Sequence, residues 1–174
     1  MFDQNNKIKP MPSASNQYRK ARRMLTKYNQ SLISGENVFY QKPTDLAYIL
    51  KKISLSLKQS SNQLSVAIRE NSSSLFDFKA DDIFYYNQGK IYAYSMLTKA
   101  LGYDYKQIII NYNLYQSWTS LVKVLETACA IQPLIIRNAE LSSSWAPNHL
   151  AYLNANTIKA INLLTKIIDI LDDD

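Results

Sequence analysis

The segment TDLAYILKKISLSLKQSSNQLSVA, residues 44–67, carries an apolar or small residue at every third or fourth position. The repeat consists of Leu46, Leu50, Ile53, Leu57, Ser60, Leu64 and Ala67. This spacing places the side chains on one face of an α-helix, with Thr44 as the expected N-cap and Asp45 in the first turn. The serines weaken helix propensity, so packing of the leucine face must hold this helix.

The residues before this segment predict a second amphipathic helix. Residues 1–13 are polar, contain two prolines and are expected to be an extended lead-in. A helix then begins at Ser13 or Ser15 and ends before Gly35, a favourable C-terminal residue. Its apolar positions are Tyr18, Ala21, Leu25, Tyr28 and Leu32. Two long helices with matching faces and a connector of roughly ten residues predict a helical hairpin.

The residues after this segment predict three or four more helices. A loop at 70–81 precedes a third helix, which is capped by Asp81 or Asp82 and ends at Gly102. Two helices are expected to meet near Asn113, and the last begins after Pro147, with Asn148 near its start. We predict an all-α antiparallel bundle of five or six helices. It forms one domain over 14–171, followed by a frayed acidic tail at 172–174.

The net charge of +6 lies entirely in the first 30 residues, which hold seven basic side chains against Asp3 alone. Four of these, Arg19, Lys20, Arg22 and Arg23, fall beside the apolar positions of the first helix. Such a face attracts an acidic protein, anionic lipid headgroups or nucleic acid. Because the basic residues do not recur across the chain with aromatic residues between them, the pattern does not favour nucleic acid.

The chain carries little material for catalysis or metal binding. Cys129 and His149 are the only residues of their kinds and lie far apart in sequence, whereas zinc sites use three or four such ligands. Asp81 and Asp82 are adjacent, so on a helix they point about 100° apart. Phosphate-binding glycine loops and the common hydrolase motifs are missing. The sequence predicts a protein that is not an enzyme and uses no cofactor.

The stretch DDIFYYNQGKIYAYSML, residues 81–97, is rich in tyrosine. Aromatic residues fall almost all the way round this helix, which predicts a central position in the bundle. Gly89 is expected to allow the backbone of a neighbouring helix to approach. The side chains of Asn87 and Gln88 are expected to form hydrogen bonds with that neighbouring helix. A peptide groove lined by Tyr85, Tyr92 and Tyr94 is the alternative interpretation.

Two longer stretches of the sequence are SASNQYRKARRMLTKYNQSLISGENVFYQKPTDLAYILKKISLSL and ADDIFYYNQGKIYAYSMLTKAL. Both resemble a bacterial family known as domain of unknown function 2333. The pieces LETACAIQPLIIRNAE and PNHLAYLNANTIKAINLLTKII are similar to its C-terminal region. The resemblance implies an envelope protein with an N-terminal membrane anchor and brings no catalytic residues. Met1 falls where family members are already inside the domain, so an anchor and a further region are expected to precede this chain.

These observations predict a non-enzymatic interaction or scaffold module, the periplasmic domain of a protein anchored in the inner membrane. Its expected partners are a protein of unknown identity or anionic lipid headgroups, met by the basic helix or by the loop before residue 81. A homo-oligomer is left open. The alternative is a cytoplasmic nucleic-acid-binding or regulatory module that uses the basic N-terminal helix.

Overall fold

A computed structural model of the protein describes residues 13–70, 78–130 and 148–173. These residues form six helices and no strand, which confirms the all-α prediction for the part described. The helices are α1 (Ala14–Ile33), α2 (Pro43–Glu70), α3 (Phe78–Asp104), α4 (Lys106–Asn111), α5 (Tyr115–Cys129) and α6 (His149–Asp172). The predicted lead-in lies outside the described residues except for Ser13, and so do residues 71–77 of the loop predicted at 70–81. The other residues of that loop are helical, since α2 ends at Glu70 and α3 begins at Phe78.

The helices belong to two compact units, and each unit is described by itself. One ends at Tyr40 and contains α1, and the other begins at Gln41 and contains α2 to α6. The hairpin of the first two helices and the single domain over 14–171 stay predictions.

The buried face of α2 is the one that the sequence predicts. All seven residues of the repeat between Leu46 and Ala67 are buried, including the hydroxyl-bearing Ser60. The start of the helix differs from the prediction, because Thr44, the expected N-cap, lies inside the helix, whose first residue is Pro43. Proline suits the first helical position, where its missing N–H has no helical partner. The N–H groups of Asp45 and Leu46 donate instead to the carbonyl of Lys42, at 3.2 and 3.3 Å.

The centre of the second unit is α6, which packs against α2, α3 and α5. Its late apolar residues are buried as predicted: Ile161, Leu164, Ile168 and Leu171. α2 and α6 run antiparallel, since Lys51 near the start of α2 contacts Asp172 at the end of α6, while Ser61 contacts Asn154. Asp172, which the sequence placed in the frayed tail, is the last residue of α6.

The prediction that α3 is the central helix is wrong. One side of α3 packs on α2, α5 and α6 through residues such as Phe84 and Ile91, which are fully buried. The other side is open to solvent and carries most of the tyrosines. Tyrosine combines an apolar ring with a polar hydroxyl, so its presence all round a helix does not show which side is buried.

The roles of two glycines in α3 are the reverse of those predicted. Gly102 does not end the helix, which continues to Asp104. A Cβ on Gly102 would overlap Nε1 of Trp118 on α5, so this glycine permits close packing of the two helices. Gly89 is exposed, and a Cβ there would meet nothing within 4 Å.

The start of α3 is wrong in the prediction: the helix begins at Phe78, and Asp81 is not its cap but lies in its first turn, where a negative charge is also favourable. The boundaries at Asn113 and Asn148 agree with the sequence. α4 and α5 are separated at Asn113, whose φ of 55° lies in the left-handed region that asparagine tolerates. The N-cap of α6 is Asn148, whose side chain accepts a hydrogen bond of 2.7 Å from the N–H of Ala151. On α5, Trp118, Leu121, Leu125 and Ala128 share the predicted buried face.

Candidate functional site

The first candidate site is the basic face of α1, and its helix is well defined at both ends. The Ser13 side chain accepts a hydrogen bond of 3.3 Å from the N–H of Asn16, as an N-cap should. Gly35, just beyond the helix, has a φ of 76°, a conformation that glycine adopts without strain. These ends fix the 20 residues of α1 and thereby the side on which each basic residue lies.

Five basic side chains of α1 are exposed. They are Arg19, Lys20, Arg22, Arg23 and Lys27. The helix contains no acidic residue, and none of the five is paired with a carboxylate in the part of the chain that the structure describes. The three arginines and Lys27 line a shallow depression of about 430 Å³. This arrangement can receive anionic groups without first breaking an ion pair.

The side of α1 opposite the basic face carries exposed apolar residues. Tyr18, Leu25 and Tyr28 are 77%, 60% and 43% exposed. At about 100° per residue, Leu25 and Arg23 lie on opposite sides of the helix axis. The same helix thus presents cations on one side and apolar surface on the other, both accessible.

The three tyrosines of the predicted groove are not brought together. Tyr85 and Tyr92 are seven residues apart and share the exposed side of α3, where they are 44% and 57% exposed. Tyr94 lies on the opposite side of the same helix, half-buried against the core. Tyr85 packs edge-on against Phe84, with 5.3 Å between ring centroids. Tyr85, Tyr92 and Tyr94 therefore do not line one groove.

A different groove lies between α2 and α3 and has a volume of about 640 Å³. Its walls include Val66 and Ala67 of α2 and Ile83, Tyr86 and Asn87 of α3. Sequence reasoning missed this groove because it depends on how the two helices lie against each other. The sequence signal is the pair Tyr86–Asn87, an aromatic residue and an amide that shortly precede Gly89.

The lone cysteine and the lone histidine both pack against the hydrophobic core. Burial raises the pKa of the Cys129 thiol, the carboxylate of Glu126 raises it further, and Lys99 opposes the change. The Cys129 carbonyl accepts a hydrogen bond of 3.3 Å from Gln88, so Gln88 does bond a neighbouring helix as predicted. His149 packs against Phe84, with 6.5 Å between ring centroids.

Asn87, by contrast, donates within its own helix to the carbonyl of Ile83. Within residues 13–70, 78–130 and 148–173, no three metal-binding side chains form a cluster. No helix in these ranges combines the length and apolar character that crossing a bilayer requires.

Comparisons with protein-family models, with curated proteins and with solved structures found no match to this chain. The resemblance to the family of domain of unknown function 2333 therefore stays a prediction.

Proposed function

We propose that the protein is a non-enzymatic interaction module that binds an anionic lipid surface through α1. The observation that supports this proposal is the accessibility of both sides of α1. One side carries five exposed cations that pair with no carboxylate of the described residues, and the other carries exposed apolar side chains. A helix of this kind lies in the plane of a membrane interface, with its apolar side among the acyl chains and its cations near the headgroups. An acidic protein would use the cations and leave the apolar side unexplained.

The bundle of α2 to α6 then serves as the body that α1 holds at the membrane. This arrangement agrees with the sequence-based proposal of a periplasmic module of an envelope protein anchored in the inner membrane. The predicted hairpin of α1 and α2 is the alternative arrangement, because it would pack the apolar side of α1 on α2 and leave only the cations of α1 for a partner. A protein partner bound by the body is the expected scaffold function.

The test is co-sedimentation of the protein with vesicles of phosphatidylcholine, with and without phosphatidylglycerol. Each basic side chain near an anionic bilayer contributes about 1 kcal/mol. Replacing Arg19, Lys20, Arg22 and Arg23 with glutamine should therefore lower the partition coefficient by more than about a hundredfold. The matched control removes the same charge from the exposed lysines of the body: Lys58, Lys106, Lys123 and Lys159. The proposal fails if both quadruple variants bind alike, or if phosphatidylglycerol makes no difference.

A second pair of substitutions separates a lipid surface from other polyanions. Tyr18→Gln with Leu25→Gln keeps all the charge of α1 and removes its apolar surface. This variant should bind vesicles more weakly than the original protein while binding a short DNA duplex equally well. If the DNA duplex binds more tightly than the vesicles, with strong salt dependence and no effect of this variant, the nucleic-acid alternative replaces the lipid proposal.

A further inference from the structure

The groove between α2 and α3 has the dimensions of a small-molecule site. Its volume of about 640 Å³ falls within the range of ligand pockets, which is roughly 300 to 1,000 Å³. Ala67 is buried, while Val66 and Tyr86 are 41% and 64% exposed, so apolar surface reaches from the inner wall to the rim. Exposed apolar surface in a concave position is suited to receive an apolar molecule.

Both walls of the groove are helices in direct contact. Further along the interface the ammonium of Lys90 on α3 donates to the carbonyl of Ser56 on α2, at 3.4 Å. This contact and the groove itself show that α2 and α3 run antiparallel, because residues 62–67 of α2 lie opposite residues 82–87 of α3. The walls are therefore held by regular secondary structure on both sides.

The polar side chains of the groove include the amides of Asn62, Gln63 and Asn87 and the carboxylate of Asp82. Asn87 is fully buried, and its Nδ2 donates to the carbonyl of Ile83 at 2.8 Å, whereas its Oδ1 accepts no hydrogen bond from the residues that the structure describes. A buried acceptor without a partner is costly, and a donor that enters the groove and reaches Asn87 would remove that cost. The carboxylate of Asp82 lies at the exposed rim, and none of the lining residues is basic.

We propose that this groove binds a small primary amine with an aromatic or branched aliphatic body. The body packs on Val66, Ala67 and Ile83 beside the ring of Tyr86. The ammonium group lies near Asp82, where it gains from the carboxylate and from the face of the Tyr86 ring. An N–H of the ligand that reaches Asn87 completes the hydrogen bonding of its amide. An anionic ligand of the same shape meets the carboxylate of Asp82 and no compensating cation.

The experiment compares three probes with the same aromatic ring and different charge: tyramine, p-cresol and 4-hydroxyphenylacetate. Each is titrated into the full chain, labelled with ¹⁵N, and followed by two-dimensional NMR. Chemical-shift changes are expected at residues 62–67 and 82–87, and tyramine should bind most tightly. Asp82→Asn should weaken tyramine by about fivefold, as expected for a partly exposed ion pair, and leave p-cresol unchanged. Tyr86→Ala should weaken all three probes.

Two exposed residues of the same helix, away from the groove, provide matched controls. Asp104→Asn and Tyr92→Ala should leave tyramine binding unchanged. Shift changes scattered over the surface, equal binding of the three probes, or tyramine binding that is indifferent to Asp82→Asn would overturn the proposal. The Asp82→Asn variant should still sediment with phosphatidylglycerol vesicles, so the outcome here is independent of the function proposed for α1.

Discussion

The Oδ1 atom of Asn154 on α6 lies 2.7 Å from the hydroxyl of Ser61 on α2, and both side chains are buried. The Nδ2 atom of the same asparagine donates to the hydroxyl of Ser65, one turn further along α2, at 3.0 Å. The amide thus bridges two successive turns of the neighbouring helix. The serines that weaken the helix propensity of α2 are used here for close packing and hydrogen bonding between α2 and α6.

Asn154→Ala is expected to lower the free energy of unfolding by about 1 to 3 kcal/mol, because it breaks a hydrogen bond to the buried Ser61 and another to the half-buried Ser65. Urea denaturation followed by circular dichroism measures the change. The double variant with Ser61→Ala should be less destabilised than the sum of the two single variants, because the residues share one bond.

Asn162→Ala is the matched control for this bridge, since Asn162 is an exposed asparagine of the same helix. Its free energy of unfolding should stay within about 0.5 kcal/mol of the original value. Equal effects of Asn154→Ala and Asn162→Ala would contradict a stabilising bridge between α2 and α6.

Alanine substitutions at the two helical glycines should act in opposite directions. Gly102→Ala places a methyl group against the indole of Trp118 and should cost about 1 to 3 kcal/mol in spite of better helix propensity. Gly89→Ala meets no atom and should stabilise the protein by about 0.5 to 1 kcal/mol. Thermal or urea denaturation of both variants under one set of conditions checks the pair.

Trp118→Phe provides the internal test of this explanation. Nε1 of Trp118 has no hydrogen-bond partner among residues 13–70, 78–130 and 148–173, so phenylalanine loses no hydrogen bond there while it vacates the space beside Gly102. In the Trp118→Phe background, Gly102→Ala should cost less than in the original protein. An unchanged cost would show that the methyl group acts through something other than the indole.

The sequence was sufficient for the helices whose apolar residues repeat regularly, and insufficient where side chains are ambiguous. The leucines of α2, α5 and α6 report the buried face directly because leucine in a continuous stripe gains most from burial. Tyrosine gave no such indication in α3, and the neighbouring contacts of Gly89 and Gly102 depend on which helix packs against which. The groove beside Tyr86 also depends on which helices pack together, which the sequence does not show. The basic side chains of α1, by contrast, form a charge pattern that can be read from the sequence.

Leu50→Ala and Leu25→Ala test the difference between the two amphipathic helices. Leu50 is fully buried in α2, so truncation should cost about 2 to 5 kcal/mol. Leu25 on α1 is 60% exposed, so its truncation should change the free energy of unfolding by less than about 0.5 kcal/mol. A cost above about 1 kcal/mol for Leu25→Ala would instead favour the predicted hairpin, in which this residue packs on α2.

Cys129 should react slowly with iodoacetamide at neutral pH, because burial and the nearby Glu126 carboxylate raise the pKa of its thiol and only the thiolate is nucleophilic. Glu126 and Lys99 form one ion pair, yet they act on this pKa with opposite signs. Glu126→Gln should lower the pKa and speed alkylation, whereas Lys99→Gln should raise the pKa and slow it. The measurement is the alkylation rate as a function of pH for the three proteins, with urea-unfolded protein as the reference. If both substitutions shift the profile in the same direction, loss of the ion pair acts by opening the structure rather than through charge.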